Sequence, residues 1–221
     1  MNYNTKSANY YANIRTNLVQ LLDPSCKDLR VLEVGAAYGE TLYFLKQKGI
    51  AKEAIGVELY RDEANKDHYK PIDQFIFGNI EDIDLSEYQN YFDLIIFADV
   101  LEHLFEPKKI LKKASLLLNN RGQILVSMPN IRHYSALIKI FIKGDFKYEE
   151  SGIFDFTHLK FYCKKNIIEL IESSNFELQT IESSIKRYKG KSFAKILNRL
   201  TFGVFQTFFT TQYFLLANTK K

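Results

Sequence analysis

Short hydrophobic runs alternate along the first part of the chain with longer segments of helical period. The run "RVLEV" comes first, and "FDLIIFA" is more apolar still. Such runs are typical of buried strands, and their alternation with amphipathic segments is typical of βα units and a parallel sheet. The predicted strands cover residues 30–34, 53–59, 74–79, 92–98 and 123–129.

Helices are predicted between these strands. The segment 106–122 has the clearest signals, because Pro107 suits a first helical turn and Asn-Asn-Arg-Gly suits a helix end. After residue 129 the pattern loosens into an insertion of helix and loop. The remaining predicted elements are helices at 41–49, 61–68, 164–176 and 193–200 and strands at 176–185 and 212–218.

This order of elements predicts an α/β fold. We expect a Rossmann-like, doubly wound sheet of about seven mostly parallel strands, with helices on both faces and an antiparallel C-terminal strand. The 221 residues suit a single domain. Its expected parts are an N-terminal lid helix (1–28), a ligand-binding core (29–129), a substrate-side insertion (130–163) and C-terminal helices with the last strands (164–221).

Composition narrows the class of protein. A hydrophobic content of 46% excludes wholesale disorder, and a net charge of +4 is too mild to indicate nucleic-acid binding. Cys26 and Cys163 form no CxxC motif, so neither a zinc ribbon nor a disulfide framework is predicted. The N-terminus has no apolar signal core and no run is long enough to span a membrane. We therefore expect a cytoplasmic protein.

The turn after the first strand, "VLEVGAAYG", carries the most informative motif. Gly35 suits the tight turn, and Gly39 allows the next helix to approach closely. The spacing is not GxGxxG, which disfavours a nicotinamide-dependent oxidoreductase. Glu58 ends the second strand, where a carboxylate can accept hydrogen bonds from both hydroxyls of a ribose.

With Glu33 before the turn, this stretch resembles the E/D-x-G-x-G-x-G motif of class I S-adenosylmethionine (SAM)-dependent methyltransferases. The later landmarks "GVEL", "GNIEDIDL" and "FDLIIFADVLEHL" are similar to that family and follow in its order. The resemblance implies SAM as the cofactor. The cofactor-binding residues that it implies are Glu33, Gly35, Ala37, Tyr38, Gly39, Glu58, Leu59, Asn79, Ile80, Ala98 and Asp99.

Two positions depart from the family pattern. Ala37 stands where a middle glycine is common, so the backbone has less freedom there. Asn79 stands where the family often has Asp against the adenine amino group; its amide oxygen can still accept that hydrogen bond, without the charge. Both changes could weaken SAM binding, and a catalytically silent SAM-binding scaffold is therefore an alternative to an enzyme.

Transfer of a methyl group to a hydroxyl oxygen benefits from a positioned base. His103 and His133 follow the fourth and fifth predicted strands, at the edge where a doubly wound sheet binds its ligands. They are the candidate catalytic residues. A purely structural role is an equally open alternative for either histidine.

Asp99, Glu102 and His103 would face one way if a helix began at Asp99. The pattern resembles the E-x-x-E-H metal motif of ubiquinone-pathway O-methyltransferases and small-RNA 2′-O-methyltransferases, and His158 could complete a site for Mg²⁺ or Mn²⁺. An acid–base or orienting role for these groups is a second interpretation. Simple capping of a helix N-terminus by acidic residues is a third.

The segment 129–161 resembles bacterial methyltransferases of surface-polysaccharide and glycan biosynthesis, through "PNIRH" and "GIFDFTHLKF". That resemblance implies a sugar hydroxyl as acceptor, on a small or carrier-linked substrate. Arg132, His133 and His158 are the predicted substrate residues, and Arg132 would suit a phosphate or carboxylate. A lipophilic phenol, as in quinone synthesis, is the alternative acceptor.

Two terminal segments carry further predictions. Tyr10, Tyr11 and Arg15 could cover the cofactor, with Arg15 meeting its carboxylate, or could simply pack. The tail phenylalanines are expected in the core and at the sheet edge, although the basic residues among them would also suit docking on an anionic membrane. These phenylalanines are residues 193, 202, 205, 208, 209 and 214, and the basic residues are 186, 187, 189, 191, 195 and 199.

Overall fold

The computed structural model describes residues 13–187 and 193–220. Its centre is a seven-stranded sheet in the order β3-β2-β1-β4-β5-β7-β6. Strands β1 to β5 run parallel, and β7 lies antiparallel between β5 and β6. The strands are β1 (Leu29–Val34), β2 (Ala51–Glu58), β3 (Gln74–Phe77), β4 (Phe92–Ala98), β5 (Leu118–Pro129), β6 (Phe176–Ser183) and β7 (Gln212–Thr219).

Helices cover both faces of the sheet. The α-helices are α1 (Thr16–Val19), α2 (Glu40–Gln47), α3 (Pro107–Leu117), α4 (Tyr134–Leu137), α5 (Lys164–Glu172), α6 (Ser184–Arg187), α7 (Phe193–Leu200) and α8 (Gln206–Phe209). Short 3₁₀ helices lie at Glu63–His68, Ser86–Tyr88 and Leu101–His103, and a π-helix at Ile138–Ile142.

Alternate residues of the buried strands supply two hydrophobic cores. Leu32 and Val34 of β1 face the core that holds α3 and α5. Val31 faces the second core, in which Leu42 and Leu45 of α2 are completely buried. This alternation follows from the two-residue period of a strand, and it confirms the predicted doubly wound fold.

Two predicted helices differ from the structure. The helix predicted over 106–122 ends at Leu117, because Leu118 already pairs with Phe92 at the start of β5. The segment 61–68 is only a kinked 3₁₀ helix with a non-helical Asn65. Of the predicted N-terminal lid helix, the described part contains the single turn α1; Tyr10 and Tyr11 lie outside the described residues.

Candidate functional site

A cleft opens at the carboxyl ends of β1, β2 and β4. Its walls come from the turn after β1, the end of β2, the loop after β3 and the loop after β4. Nine of the eleven predicted cofactor residues line it: Glu33, Gly35, Ala37, Glu58, Leu59, Asn79, Ile80, Ala98 and Asp99. The sequence did not single out Tyr60, Gly78, Glu81 and Phe105, which also line it.

The other two predicted cofactor residues, Tyr38 and Gly39, lie behind the lining of the cleft. The hydroxyl of Tyr38 donates to Asp62 Oδ2 at 2.7 Å, and its ring packs edge-on against Tyr69. Gly39 has φ +83° and precedes α2; a Cβ there would lie 2.9 Å from Phe75. Its role is the close approach of helix to sheet.

The turn itself needs two further left-handed residues. Gly35 has φ +73°, and a Cβ on it would lie 2.7 Å from Val100 Cγ2. Ala37 has φ +50°, a conformation that costs an alanine about 1–2 kcal/mol. The Ala37 N–H donates to Glu58 Oε2 at 2.8 Å, which holds this strained residue in place.

Glu58 is partly buried at the end of β2. Its Oε1 accepts the Leu59 N–H at 2.8 Å, so both carboxylate oxygens already hold the backbone around the cleft. Burial raises the pKa of this carboxyl group, and the backbone hydrogen bonds from Ala37, Tyr60 and Leu59 oppose that shift. Glu58 can therefore offer a ribose only its remaining lone pairs.

Glu33 is 3% exposed, although it lines the cleft. Burial raises its pKa to about 8; Arg15 and a hydrogen bond with Thr41 act in the opposite direction, and Glu58 adds to the rise. Its Oε2 accepts no hydrogen bond from any described residue. An unpartnered buried oxygen at a cleft wall is suited to a cationic ligand group.

Asn79 shapes the loop after β3. Its Oδ1 accepts the Glu81 N–H at 3.0 Å, and its Nδ2 donates to Asp82 at 2.9 Å. The amide oxygen of Asn79, which is predicted to face the cofactor, thus already accepts one hydrogen bond within a turn. Its second lone pair is left for a ligand.

Asp99 has φ +58° and begins no helix, so the predicted helical alignment of Asp99 with Glu102 and His103 is wrong. Its carboxylate instead accepts hydrogen bonds from Arg15 at 2.9 Å, from Ser127 at 2.9 Å and from Gln212. Asp99 therefore belongs to a separate network. Sequence reasoning missed both partners: the pairing of β5 beside β4 brings Ser127 to Asp99, and the pairing of β7 beside β5 brings Gln212 there.

The other three predicted metal-ligating residues do come together. Glu102, His103 and His158 each supply one potential ligand atom, and these atoms lie within 4.8 Å of one another. The Glu102 side chain is completely buried, and neither of its oxygens has a hydrogen-bond partner in the described chain. Burial, and then the charge of Asp99, raise the Glu102 pKa well above its ordinary value. We call these three residues the carboxylate–histidine cluster.

Main-chain carbonyls fix both histidine rings of this cluster. His103 Nδ1 lies 3.1 Å from the Thr157 carbonyl oxygen, and His158 Nδ1 lies 3.0 Å from that of Ile153. Since a carbonyl can only accept, each Nδ1 carries the hydrogen and each neutral ring has its lone pair on Nε2. His158 Nε2 lies 3.9 Å from Glu102 Oε1.

Asp155 and Thr157 organise the loop that brings His158 to the cluster. Asp155 Oδ1 accepts the Thr157 hydroxyl at 2.6 Å and the Thr157 N–H at 2.9 Å. The Thr157 hydroxyl oxygen in turn lies 3.0 Å from His103 Nδ1. The sequence signal for this arrangement is the D-x-T-H string, in which Asp and Thr are spaced for a tight turn.

His133 and Arg132 lie outside the cleft lining. His133 is the N-cap of α4, and its Nδ1 lies 2.8 Å from Ser135 Oγ. Burial lowers the pKa of this imidazole. The exposed Arg132 places its guanidinium 5.0 Å from the centre of the Phe208 ring. The structure thus gives His133 a capping role, and of the two predicted catalytic histidines it brings only His103 to the cleft.

Comparisons with known proteins agree with this architecture. A SAM-dependent methyltransferase from Mesorhizobium loti superimposes with a TM-score of 0.64 over 92% of this chain and 96% of its own, at 13% identity. A SAM-dependent methyltransferase from Archaeoglobus fulgidus gives 0.62 over 93% and 91%, at 20% identity. No curated protein sequence matches the chain.

At these identities the structural likeness shows the fold alone. The family follows from the sequence profile of the methyltransferase domain, which matches residues 7–181. That match covers the cleft, the carboxylate–histidine cluster and the strands that position them. The chain therefore belongs to the class I SAM-dependent methyltransferases.

Proposed function

We propose that this methyltransferase transfers the methyl group of SAM to a hydroxyl oxygen of a small or carrier-linked acceptor, with a sugar of glycan biosynthesis as the first candidate. The observation that carries the proposal is the buried carboxyl group of Glu102, without a hydrogen-bond partner among the described residues, beside His158 and the cleft-lining His103. A hydroxyl is a weak nucleophile until its proton is withdrawn, and such a cluster can receive that proton.

The residues of the cleft fit the cofactor. Glu33 would accept a hydrogen bond from its ammonium group, because its Oε2 is buried and unpartnered. Glu58 would accept hydrogen bonds from the ribose hydroxyls, and Asn79 with Ile80 would flank the adenine. When bound, SAM supplies an electrophilic methyl group on its sulfonium.

His103 is the candidate base. Its Nδ1–H is held by Thr157, which leaves Nε2 as the basic atom of the neutral ring. His103 lines the cleft, whereas Glu102 and His158 lie behind it and are almost fully buried. His103 would therefore take the proton. The raised pKa of Glu102 favours its neutral form, and the positive charge of the imidazolium would favour its ionisation, with His158 Nε2, 3.9 Å from Glu102 Oε1, as the group that can receive that second proton.

A divalent cation is the second candidate occupant of the carboxylate–histidine cluster. Ligating histidines generally donate their other ring N–H to a carbonyl or carboxylate, as both rings do here. With two imidazoles and one carboxylate, Mn²⁺ suits the donor set better than Mg²⁺. In that case the three side chains would hold the ion, and the ion would orient the acceptor hydroxyl.

Activity assays of the metal-stripped protein distinguish a catalytic base from a bound cation. Activity on hydroxyl acceptors that survives chelation and falls at least about a hundredfold in His103→Ala supports the base. Activity that chelation removes and Mn²⁺ restores supports the cation. His68→Ala is the matched control, because this exposed histidine contacts the Tyr38 ring and lies outside the cleft lining.

The acceptor class needs its own test. Sugars, lipid-linked sugars, phenols and amines would be offered with radiolabelled SAM. Methylation of sugar hydroxyls supports the proposal, and exclusive methylation of phenols supports the quinone-type alternative. Exclusive N-methylation overturns both. SAM binding without transfer to any acceptor supports the silent scaffold.

A further inference from the structure

Charge is strongly segregated along the chain. Residues 183–221 contain eight of the 30 basic residues and none of the 26 acidic residues. The formal charge of this segment is therefore +8, whereas the preceding 182 residues carry −4. A net charge of +4 for the whole protein conceals this asymmetry, which favours an anionic partner for the C-terminal segment.

Large apolar side chains project from the same segment. Helix α7 and the turn that follows it expose Leu200 (70%), Phe202 (96%) and Val204 (74%). The expectation that the tail phenylalanines lie in the core is thus wrong for Phe202 and for the 46%-exposed Phe205, although Phe214 is buried in β7. The side chain of Phe193 lies outside what the structure describes.

The turn is also conformationally unfavourable. Phe202 has φ +50° and Gly203 has φ +78°, so two successive residues are left-handed. A bulky aromatic residue seldom adopts this conformation, and here it presents its whole ring to the surroundings. Neither core packing nor backbone preference accounts for a phenylalanine at this position, which indicates that the ring is used outside the fold.

A second apolar projection follows the fifth strand. The π-helix Ile138–Ile142 exposes Phe141 (77%) and Ile142 (79%), next to Lys143. The chain leading to it is fastened to the C-terminal segment, since Asn130 Nδ2 donates to the carbonyls of both Thr207 and Thr210 at 2.8 Å.

The chain segments that carry both projections adjoin the sheet edge where the cleft opens. Gln212, at the start of β7, pairs with Pro129 at the end of β5 and donates to Asp99 of the cleft. The exposed apolar residues are thus connected to the cleft through a short stretch of chain. A surface bound by these residues would have the cleft beside it.

We propose that α7, the turn 201–205 and the π-helix 138–142 form a docking surface for an anionic lipid bilayer. Phe202, Val204 and Phe141 would enter the interface, and Lys195 and Arg199 of α7, with Lys143 after the π-helix, would meet anionic headgroups. The described residues include no helix long and apolar enough to span a membrane, so the contact would be peripheral.

The charge pattern favours a bilayer over a second copy of the chain. A twofold dimer through this surface would place two copies of the basic helix α7, with Lys195 and Arg199, against each other. Projecting single side chains beside cations are also typical of interfacial insertion. This proposal extends the proposed function, because an acceptor carried on a lipid would reach the cleft at this surface. Lipid binding itself does not depend on methyl transfer.

Vesicle co-sedimentation of the full chain tests the docking surface. We expect binding to vesicles of phosphatidylcholine mixed with phosphatidylglycerol, little binding to phosphatidylcholine alone, and release at high salt. Phe202→Ser combined with Val204→Ser should reduce binding at least about tenfold. Leu116→Ser is the matched control, because Leu116 is 60% exposed on α3, outside the docking surface.

Thermal unfolding checks that the double variant folds, as expected for two exposed positions. Calorimetric titration with SAM checks separately that the cleft still binds its cofactor. The proposal is overturned if the wild-type protein ignores phosphatidylglycerol vesicles, or if the double variant binds them as the wild type does. Sedimentation velocity tests whether the surface binds a second copy of the chain instead. A wild-type protein that is a dimer and a double variant that is a monomer would assign the surface to dimerisation.

Discussion

Arg15 donates a hydrogen bond to Asp99 across 2.9 Å, although the two residues lie 84 positions apart in the chain. Both line the cleft, one from the segment before α1 and the other from the loop after β4. Arg15 also lowers the pKa of the buried Glu33, opposing the effect of burial. One guanidinium thus supports two carboxyl groups on the cleft wall.

Arg15→Gln should therefore weaken SAM binding about tenfold, which corresponds to about 1.4 kcal/mol. The free energy of unfolding should change by less than about 1 kcal/mol, because the pair is partly exposed to solvent. Calorimetric titration with SAM measures the first effect and chemical denaturation the second.

Arg30→Gln is the matched control for this experiment. It removes the ion pair of Arg30 with Asp93, which has similar exposure but lies at the amino ends of β1 and β4, away from the cleft. Its SAM affinity should equal that of the wild type. Equal affinity of Arg15→Gln and the wild type would contradict a role for Arg15 in the cofactor site.

Glu33 should couple SAM binding to proton release. Its pKa is raised to about 8, so the free protein holds a proton on Glu33 at about pH 7, and a bound ammonium group favours the ionised carboxylate. SAM affinity should accordingly rise as the pH increases toward about 8. Calorimetry at about pH 7 in buffers of different ionisation enthalpy counts the released protons.

The raised pKa of Glu33 also makes the free energy of unfolding depend on pH. The ordinary pKa of 4.5 applies to the unfolded chain, so between about pH 4.5 and 8 the folded state holds the extra proton. The contribution of Glu33 to stability is complete below this window and falls as the pH rises through it. Glu33→Gln should abolish both the proton release and this slope; a variant that keeps the proton release would disprove the assignment to Glu33.

The sequence predicted those parts of the fold and site that depend on local pattern. Glu33, Gly35 and Glu58 follow from a strand, a turn and a second strand, so their position at the cleft could be predicted without coordinates. Gln212 could not be placed in the same way. It reaches Asp99 only because β7 inserts between β5 and β6, a pairing that no local pattern specifies.

The carboxylate–histidine cluster shows the same limit. Glu102 and His103 were predicted together with Asp99 on a helical spacing, with His158 completing the site, but the left-handed Asp99 breaks that helix before Leu101. What assembles Glu102, His103 and His158 is the loop held by Asp155 and Thr157. The residue types correctly indicated a cluster, whereas the helical spacing was the wrong reason for expecting it.

Glu102→Gln should stabilise the metal-stripped protein while removing its activity. Because burial raises the pKa of Glu102 well above its ordinary value, folding at neutral pH must either protonate this group or bury its charge, and a neutral amide of the same shape avoids that cost in stability. We expect a gain of about 1 kcal/mol in the free energy of unfolding, measured by denaturation in the presence of a chelator. Methyl transfer should fall at least about a hundredfold.

Glu106→Gln provides the control, since Glu106 is an exposed carboxylate that only pairs with Lys109 at the start of α3. It should leave both stability and activity nearly unchanged. A loss of stability in Glu102→Gln without metal would mean that the charge of Glu102 is satisfied inside the fold, and the cluster would lose its main argument for a functional occupant.

Asn130→Ala should destabilise the protein by about 2 kcal/mol, because it leaves the partly buried carbonyl of Thr207 and the buried carbonyl of Thr210 without their donor. The side chain of Asn130 is completely buried between the end of β5 and the segment that includes α8. Thermal and chemical denaturation measure the change.

Asn65→Ala, at an exposed residue that only caps a surface turn with Asp62, should cost less than about 0.5 kcal/mol. Similar losses for the two variants would show that Asn130 does not fasten the C-terminal segment to the sheet. A selective loss in Asn130→Ala would instead show that this amide helps to fasten the segment that supplies both Gln212 to the cleft and the projecting turn at Phe202.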